Sequence, residues 1–165
     1  MRTHEARTIA HFRNFIFGVE DSLVSTVGLL SGIALAGVPV ETILLTGTVL
    51  IFVEAFSMAA GTYLSESSAA ELAGNVREKF SALVSSVTMF VSYFCAGFIP
   101  LSPYVLLEAS HALPVSIVAS VATLFLLGYI SGIITRTSRV RSALRMALIG
   151  GAAIGIGFFA ASLLS

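Results

Sequence analysis

Five apolar stretches, each long enough to cross a bilayer and each closed off by polar or helix-breaking residues, constrain this chain more than any other feature. They run over residues 17–37, 42–64, 81–99, 115–135 and 144–164. One helix needs ~20 apolar residues to span ~30 Å of hydrocarbon, and within lipid a helix keeps every backbone hydrogen bond to itself. The chain therefore reads as an all-α membrane protein with five transmembrane helices, forming a single transmembrane domain over residues 1–165. Composition agrees: 56% of the residues are hydrophobic and 11% charged, where soluble domains are roughly 45–50% apolar. The first stretch is too long and too polar inside for a removed signal peptide, so it counts as part of the mature protein.

The breaks have their own signals. Gly37-Val38-Pro39 parts the first two spans, residues 66–80 the second and third, residues 100–114 with three prolines the third and fourth, and Thr135 to Arg141 the last two. Residues 1–16, in which Arg2, Arg7 and Arg13 alternate with Ile9, Phe12 and Phe15, read as a short amphipathic helix on the membrane surface. All nine Lys and Arg residues fall before span one, between spans two and three, or around the four-to-five turn. With five spans these places share one side, which the positive-inside rule makes cytoplasmic. The N-terminus is then inside and the C-terminus outside. The opposite loops hold no Lys or Arg, only Glu41, Glu108 and His111. A net charge of zero argues against a nucleic-acid partner. Cys95, the one cysteine, excludes a disulfide framework and reads as a packing residue.

Against this apolar background three acids stand out. Glu20 and Asp21 lie about one turn into span one, and because neighbours on a helix differ by ~100° they cannot snorkel along one route. Asp21 shares its stripe with Ser25, Gly28 and Gly32, a small and polar face suited to a wet cavity or close packing. Glu20 shares its face with Val24, Val27 and Ser31. Glu54 is deeper, near the middle of span two, with Met58 and Gly61 following on the same face. An ionisable group at that depth costs ~2.5–3.5 kcal/mol or more and points to function. Two acidic spans together point to an ion path. A carboxylate at mid-span must be neutralised by a proton or a cation, so Glu54 is also the candidate for proton coupling.

Asp21-Ser22-Leu23-Val24-Ser25 in span one and Ser57-Met58-Ala59-Ala60-Gly61-Thr62-Tyr63-Leu64-Ser65 in span two resemble the vacuolar iron transporter family, prokaryotic-type relatives included. The resemblance extends to the five-span plan, the proline-containing loop after span three and the glycine-rich last span. It implies a homodimer that moves Fe²⁺ and often Mn²⁺ out of the cytosol in exchange for protons. The implied path lies between protomers, lined by spans one and two, with Asp21 and Met58 as principal contacts. A hard carboxylate and a soft thioether suit a borderline ion better than Mg²⁺ or Ca²⁺. Thr62 stands where the family commonly has Glu, and Glu66, four residues on, is the carboxylate able to replace it. Glu20 adds a charge at the entrance. The family's long Glu-rich insert is reduced to residues 65–80, in which Glu66, Glu71 and Glu78 are offset by Arg77 and Lys79.

The resulting expectation is a proton-coupled divalent-metal exporter in a prokaryotic plasma membrane. It does not read as an enzyme: the Gly128 to Gly132 stretch is not a Gly-x-Ser-Gly serine-protease arrangement, and His111 lies in a loop. No cofactor is tightly bound, and Fe²⁺ or Mn²⁺ is cargo. The competing reading is a membrane scaffold or partner-binding subunit in which Asp21 and Glu54 are buried structural hydrogen-bonders. Gly128 with Gly132, and Gly151 with Gly155, read as packing surfaces. His4 and His11 read as interfacial.

Overall fold

The computed structural model describes residues 2–74 and 78–163, and side chains within 8–74, 80–108 and 111–163. Arg77 and the side chains of His4, Glu78 and Lys79 lie outside that range. Five helices follow one another: α1 (Arg2–Leu35), α2 (Val40–Leu72), α3 (Glu78–Leu106), α4 (Ala109–Ile134) and α5 (Arg139–Ser162). Each is long and apolar enough to cross a membrane.

The helices outrun the apolar stretches, and each extension has a cause. Residues 2–16 are the first turns of α1 rather than a separate surface helix. No Gly or Pro interrupts them. Protein contacts fix the later of these turns: Asn14 is buried, and His11 Nδ1 lies 3.1 Å from Ser85 Oγ of α3. Likewise most of 100–114 is helical, with Pro100 and Pro103 inside α3 and Pro114 inside α4. Proline at 103 leaves the Ile99 carbonyl without its i+4 donor, and the Ser102 hydroxyl donates to that oxygen at 3.0 Å. The Ser116 hydroxyl donates to the Pro100 carbonyl at 2.6 Å and ties α4 to α3. The Ser102 hydroxyl thus supplies what Pro103 withholds, as membrane helices require, and the Ser116 bond adds a link between helices. Glu66 and Glu71 accordingly sit on the last turns of α2 and not in a loop.

Turns are short and capped by backbone. After α1, Gly37 takes φ 72°, its N–H donates to Ala34 at 3.1 Å and Val38 N–H reaches Ile33 at 3.4 Å. That is the left-handed helix stop that glycine adopts without strain. Pro39 then starts α2. Gly74, at φ 66°, ends α2 in the same way.

α1 and α3 are the most buried spans, α2 and α5 the least. One cluster joins Leu30 of α1, Ile43 and Ile51 of α2, Leu101 and Tyr104 of α3 and Ala112 of α4. A second joins Leu23, Ala96 and Leu124. Since lipid tails are as apolar as leucine, close backbone approach has to hold the helices together. α4 meets α5 at Gly128 and Gly132, where an added Cβ would meet backbone of Ser142, Ala143 and Arg139. Gly151 and Gly155, expected to pack likewise, have open space beside them. Gly157, on the other side of α5, lies against the Gly28 backbone of α1.

At Gly128 the new Cβ would lie 2.6 Å from the Ser142 oxygen and 2.7 Å from Ala143 Cα. Neither can swing aside. Gly128→Leu is expected to destabilise the bundle by about 3 kcal/mol, the upper end of overpacking penalties. Thermal unfolding in detergent followed by circular dichroism checks this, and an unchanged midpoint would show that α4 and α5 part freely.

Candidate functional site

α1 and α2 are antiparallel neighbours, so their residues meet in opposite order. Phe17 and Met58 line one cleft. One turn further along α1 and one turn back along α2, Asp21 and Glu54 lie near enough to repel each other electrostatically. The two intramembrane acids singled out in the sequence are thus brought together, with Met58 a helical turn from Glu54. All three side chains are partly exposed. α2 packs mainly on α3 and only lightly on α1, so the flank between α1 and α2 stays open.

Like charges in hydrocarbon need a compensating partner. Among the described residues no hydrogen bond reaches either carboxylate, and no three His, Cys, Asp or Glu side chains converge as a metal cluster. A single protomer offers two carboxylates and thioether sulfur, an incomplete shell for a divalent ion. Glu20 is half-buried, and its electrostatic partner is Asp21 rather than Glu54. It stands beside the pair, not within it.

Glu66 is placed elsewhere. It lines the mouth of the Met58 cleft, about 510 Å³, with Arg13, Asn14 and Thr62. Asn14 Nδ2 donates to Glu66 Oε1 at 2.9 Å, and the exposed Arg13 guanidinium is 3.9 Å away. The Thr62 hydroxyl donates to the Met58 carbonyl at 2.8 Å. It is spent on its own helix. Glu66 therefore shares the cleft with Met58 but is held by α1 partners.

Three contributors escaped the sequence reading. Tyr93 of α3 is fully buried, its hydroxyl lies 2.8 Å from Ser25 Oγ, and it senses both Asp21 and Glu54. Its carbonyl accepts a 2.6 Å bond from the Ser22 hydroxyl. Two hydrogen bonds therefore stitch α1 to α3 behind the acid pair. Met89 adds a second thioether to the Met58 cleft, and Asn14 anchors Glu66. Nothing local marks any of them: Tyr93 and Met89 sit in an apolar run, and the contacts span 68 residues for Tyr93 and Ser25 and 52 for Asn14 and Glu66.

Known proteins resemble this chain in sequence. Vacuolar iron transporter 1 of Arabidopsis thaliana is 40% identical over 78 residues, covering 47% of this chain and 31% of that protein. The vacuolar iron transporter of Centaurea cyanus is 37% identical over 78 residues, covering 47% and 32%. Against both, the chain aligns with about a third of the relative's length. Vacuolar iron transporter homolog 5 of Oryza sativa is 29% identical over 168 residues, covering 88% of this chain and 76% of that protein. The VIT family profile matches residues 12–85 and 72–162, from the Asn14 and Asp21 turns of α1 to the end of α5, and with that match the chain belongs to the VIT family.

Proposed function

We propose that this chain transports a divalent metal, Fe²⁺ or Mn²⁺, out of the cytosol in exchange for protons. The observation that carries the reading is the apposition of Asp21 and Glu54 on the open flank of α1 and α2, with Met58 one turn away. A structural pair of buried acids needs donors, and these two have none among the described residues. That absence favours an ion path over a scaffold. Membership in a transporter family argues against catalysis, and relatives named as iron transporters support iron as cargo.

A second copy completes the site. Two-fold pairing of the α1 and α2 flanks doubles the carboxylates and thioethers to a usable shell, and it covers exposed Leu45, Val49, Phe52, Val53 and Phe56 of α2. Asp21 and Met58 are the principal ligands, Glu54 carries the proton, and Glu20 and Glu66 act at the entrance. The arginine-rich ends face the cytosol by the positive-inside rule, which puts the N-terminus inside. The short connections fit a bacterial plasma membrane, whereas the plant relatives are named as vacuolar. Localisation of a tagged chain decides between those membranes.

The test is metal uptake into proteoliposomes under an imposed pH gradient, across a panel of ions. Ligand carboxylates must be deprotonated to bind metal, so each ion taken up should be matched by protons moving the other way. Uptake without counter-movement of protons rejects the antiport. Met58→Leu preserves side-chain volume and removes sulfur. It is expected to lower Fe²⁺ transport by roughly tenfold, about 1.4 kcal/mol of ligand preference, and Mn²⁺ transport much less. Equal loss for both ions would exclude direct coordination by sulfur.

A further inference from the structure

Where α4 turns into α5, Arg136, Arg139, Arg141 and Arg145 fall within ten residues. All four are exposed, and none makes an ion pair among the described residues. They have no counter-ion close in sequence: residues 109–165 contain no Asp or Glu. The turn itself favours a basic residue over the conformationally easier one. α1 and α2 stop on left-handed Gly37 and Gly74, and α4 ends with the same pattern of bonds, Arg136 N–H to Ile133 at 3.2 Å and Thr137 N–H to Gly132 at 3.0 Å. Yet the residue at φ 56° is Arg136, in a conformation that disfavours a Cβ.

Two of these arginines flank a shallow apolar strip on the outer face of α5, formed by that helix alone. Ser138, Arg141 and Arg145 line its basic end, and Leu144, Leu148 and Ala152 continue it. From Arg141 to Ala152 the helix rises ~16 Å, from the level of the loops into the hydrocarbon. Ser138 starts α5 without a side-chain cap bond, so first-turn N–H groups also point to the basic end. Guanidinium pairs bind phosphate oxygens in a bidentate manner. Below them the surface is apolar.

We propose that the outer face of α5 binds an anionic phospholipid, its phosphate on Arg141 and Arg145 and one acyl chain along Leu144, Leu148 and Ala152. The assignment stands apart from the ion path and does not depend on which metal moves. Charge complementarity selects the headgroup, and the apolar strip requires the tail.

Native mass spectrometry of the full chain in detergent tests this, with phosphatidylglycerol and phosphatidylcholine of identical tails. The unaltered chain is expected to hold phosphatidylglycerol about thirty-fold more tightly, about 2 kcal/mol for two arginines near a lipid surface. Arg141→Gln with Arg145→Gln should abolish that preference and leave circular dichroism unchanged. Soluble glycerol phosphate at the same concentration should not displace the lipid. Equal retention of both lipids by the unaltered chain, or a preference that survives the double substitution, overturns the proposal. So does complete displacement by glycerol phosphate, which makes the site a phosphate site, or loss of bound lipid whenever a second copy docks on α5, which makes it a protein interface.

Discussion

Asp21→Asn is expected to reduce metal flux to the leak of protein-free vesicles while yield, helix content and dimerisation stay unchanged. Asparagine keeps the shape and one acceptor oxygen but loses the anion. In the structure Asp21 makes no hydrogen bond that the amide would break, and its nearest charged neighbour across the flank is Glu54. Removing one of two like-charged neighbours relieves their mutual repulsion. Stability should therefore hold or rise as transport disappears. A structural Asp21 predicts the opposite pattern, with lower yield and little change in flux per molecule. Undiminished Fe²⁺ and Mn²⁺ flux in the variant rejects Asp21 as a ligand.

Glu54→Gln is expected to separate metal movement from the proton gradient. Glutamine mimics a carboxyl group that never gives up its proton, so metal should still exchange down its own gradient. Accumulation against that gradient should fall to nothing, since no group remains to alternate between proton and cation. Measuring both modes in the same vesicles makes the result specific. If the variant still concentrates metal using an imposed pH difference, Glu54 is not the carrier, and Glu20 or Asp21 must take the role.

How much of this was readable in the chain depends on whether the cause is local. Span number was readable because ~20 apolar residues in lipid leave the backbone one solution. Asp21 and Glu54 stood out because each is chemically out of place in an apolar helix, whereas Met58, itself apolar, was marked by its position one turn from Glu54 and by the family resemblance. Their meeting is a consequence of two antiparallel helices joined by the tight turn at Gly37. The prolines misled: they read as helix ends, but here the Ser102 hydroxyl restores the bond that Pro103 removes, and the Ser116 hydroxyl ties α4 to α3 beside Pro100. The surface helix was misread for a similar reason. Amphipathic spacing in residues 2–16 does not tell a separate surface helix from the first turns of a longer one, and only tertiary contacts such as His11 with Ser85 tie these turns to α3. Tyr93 stayed invisible because a tyrosine in an apolar run is ordinary until a serine from another helix is found at its hydroxyl.

The turn at Gly37 also bears on how the protein enters the membrane. α1 has the lowest mean hydropathy of the five spans, carries Glu20 and Asp21, and leaves the ribosome before α3, which covers its Ser22 and Ser25. Alone it is a poor substrate for insertion. α2 follows after four residues, 36–39, and is markedly more apolar. So short a tether allows α1 to wait no longer than the synthesis of α2, and the two can partition together as one hairpin. Glu20 and Asp21 are then carried into lipid by the helix whose Glu54 will face Asp21.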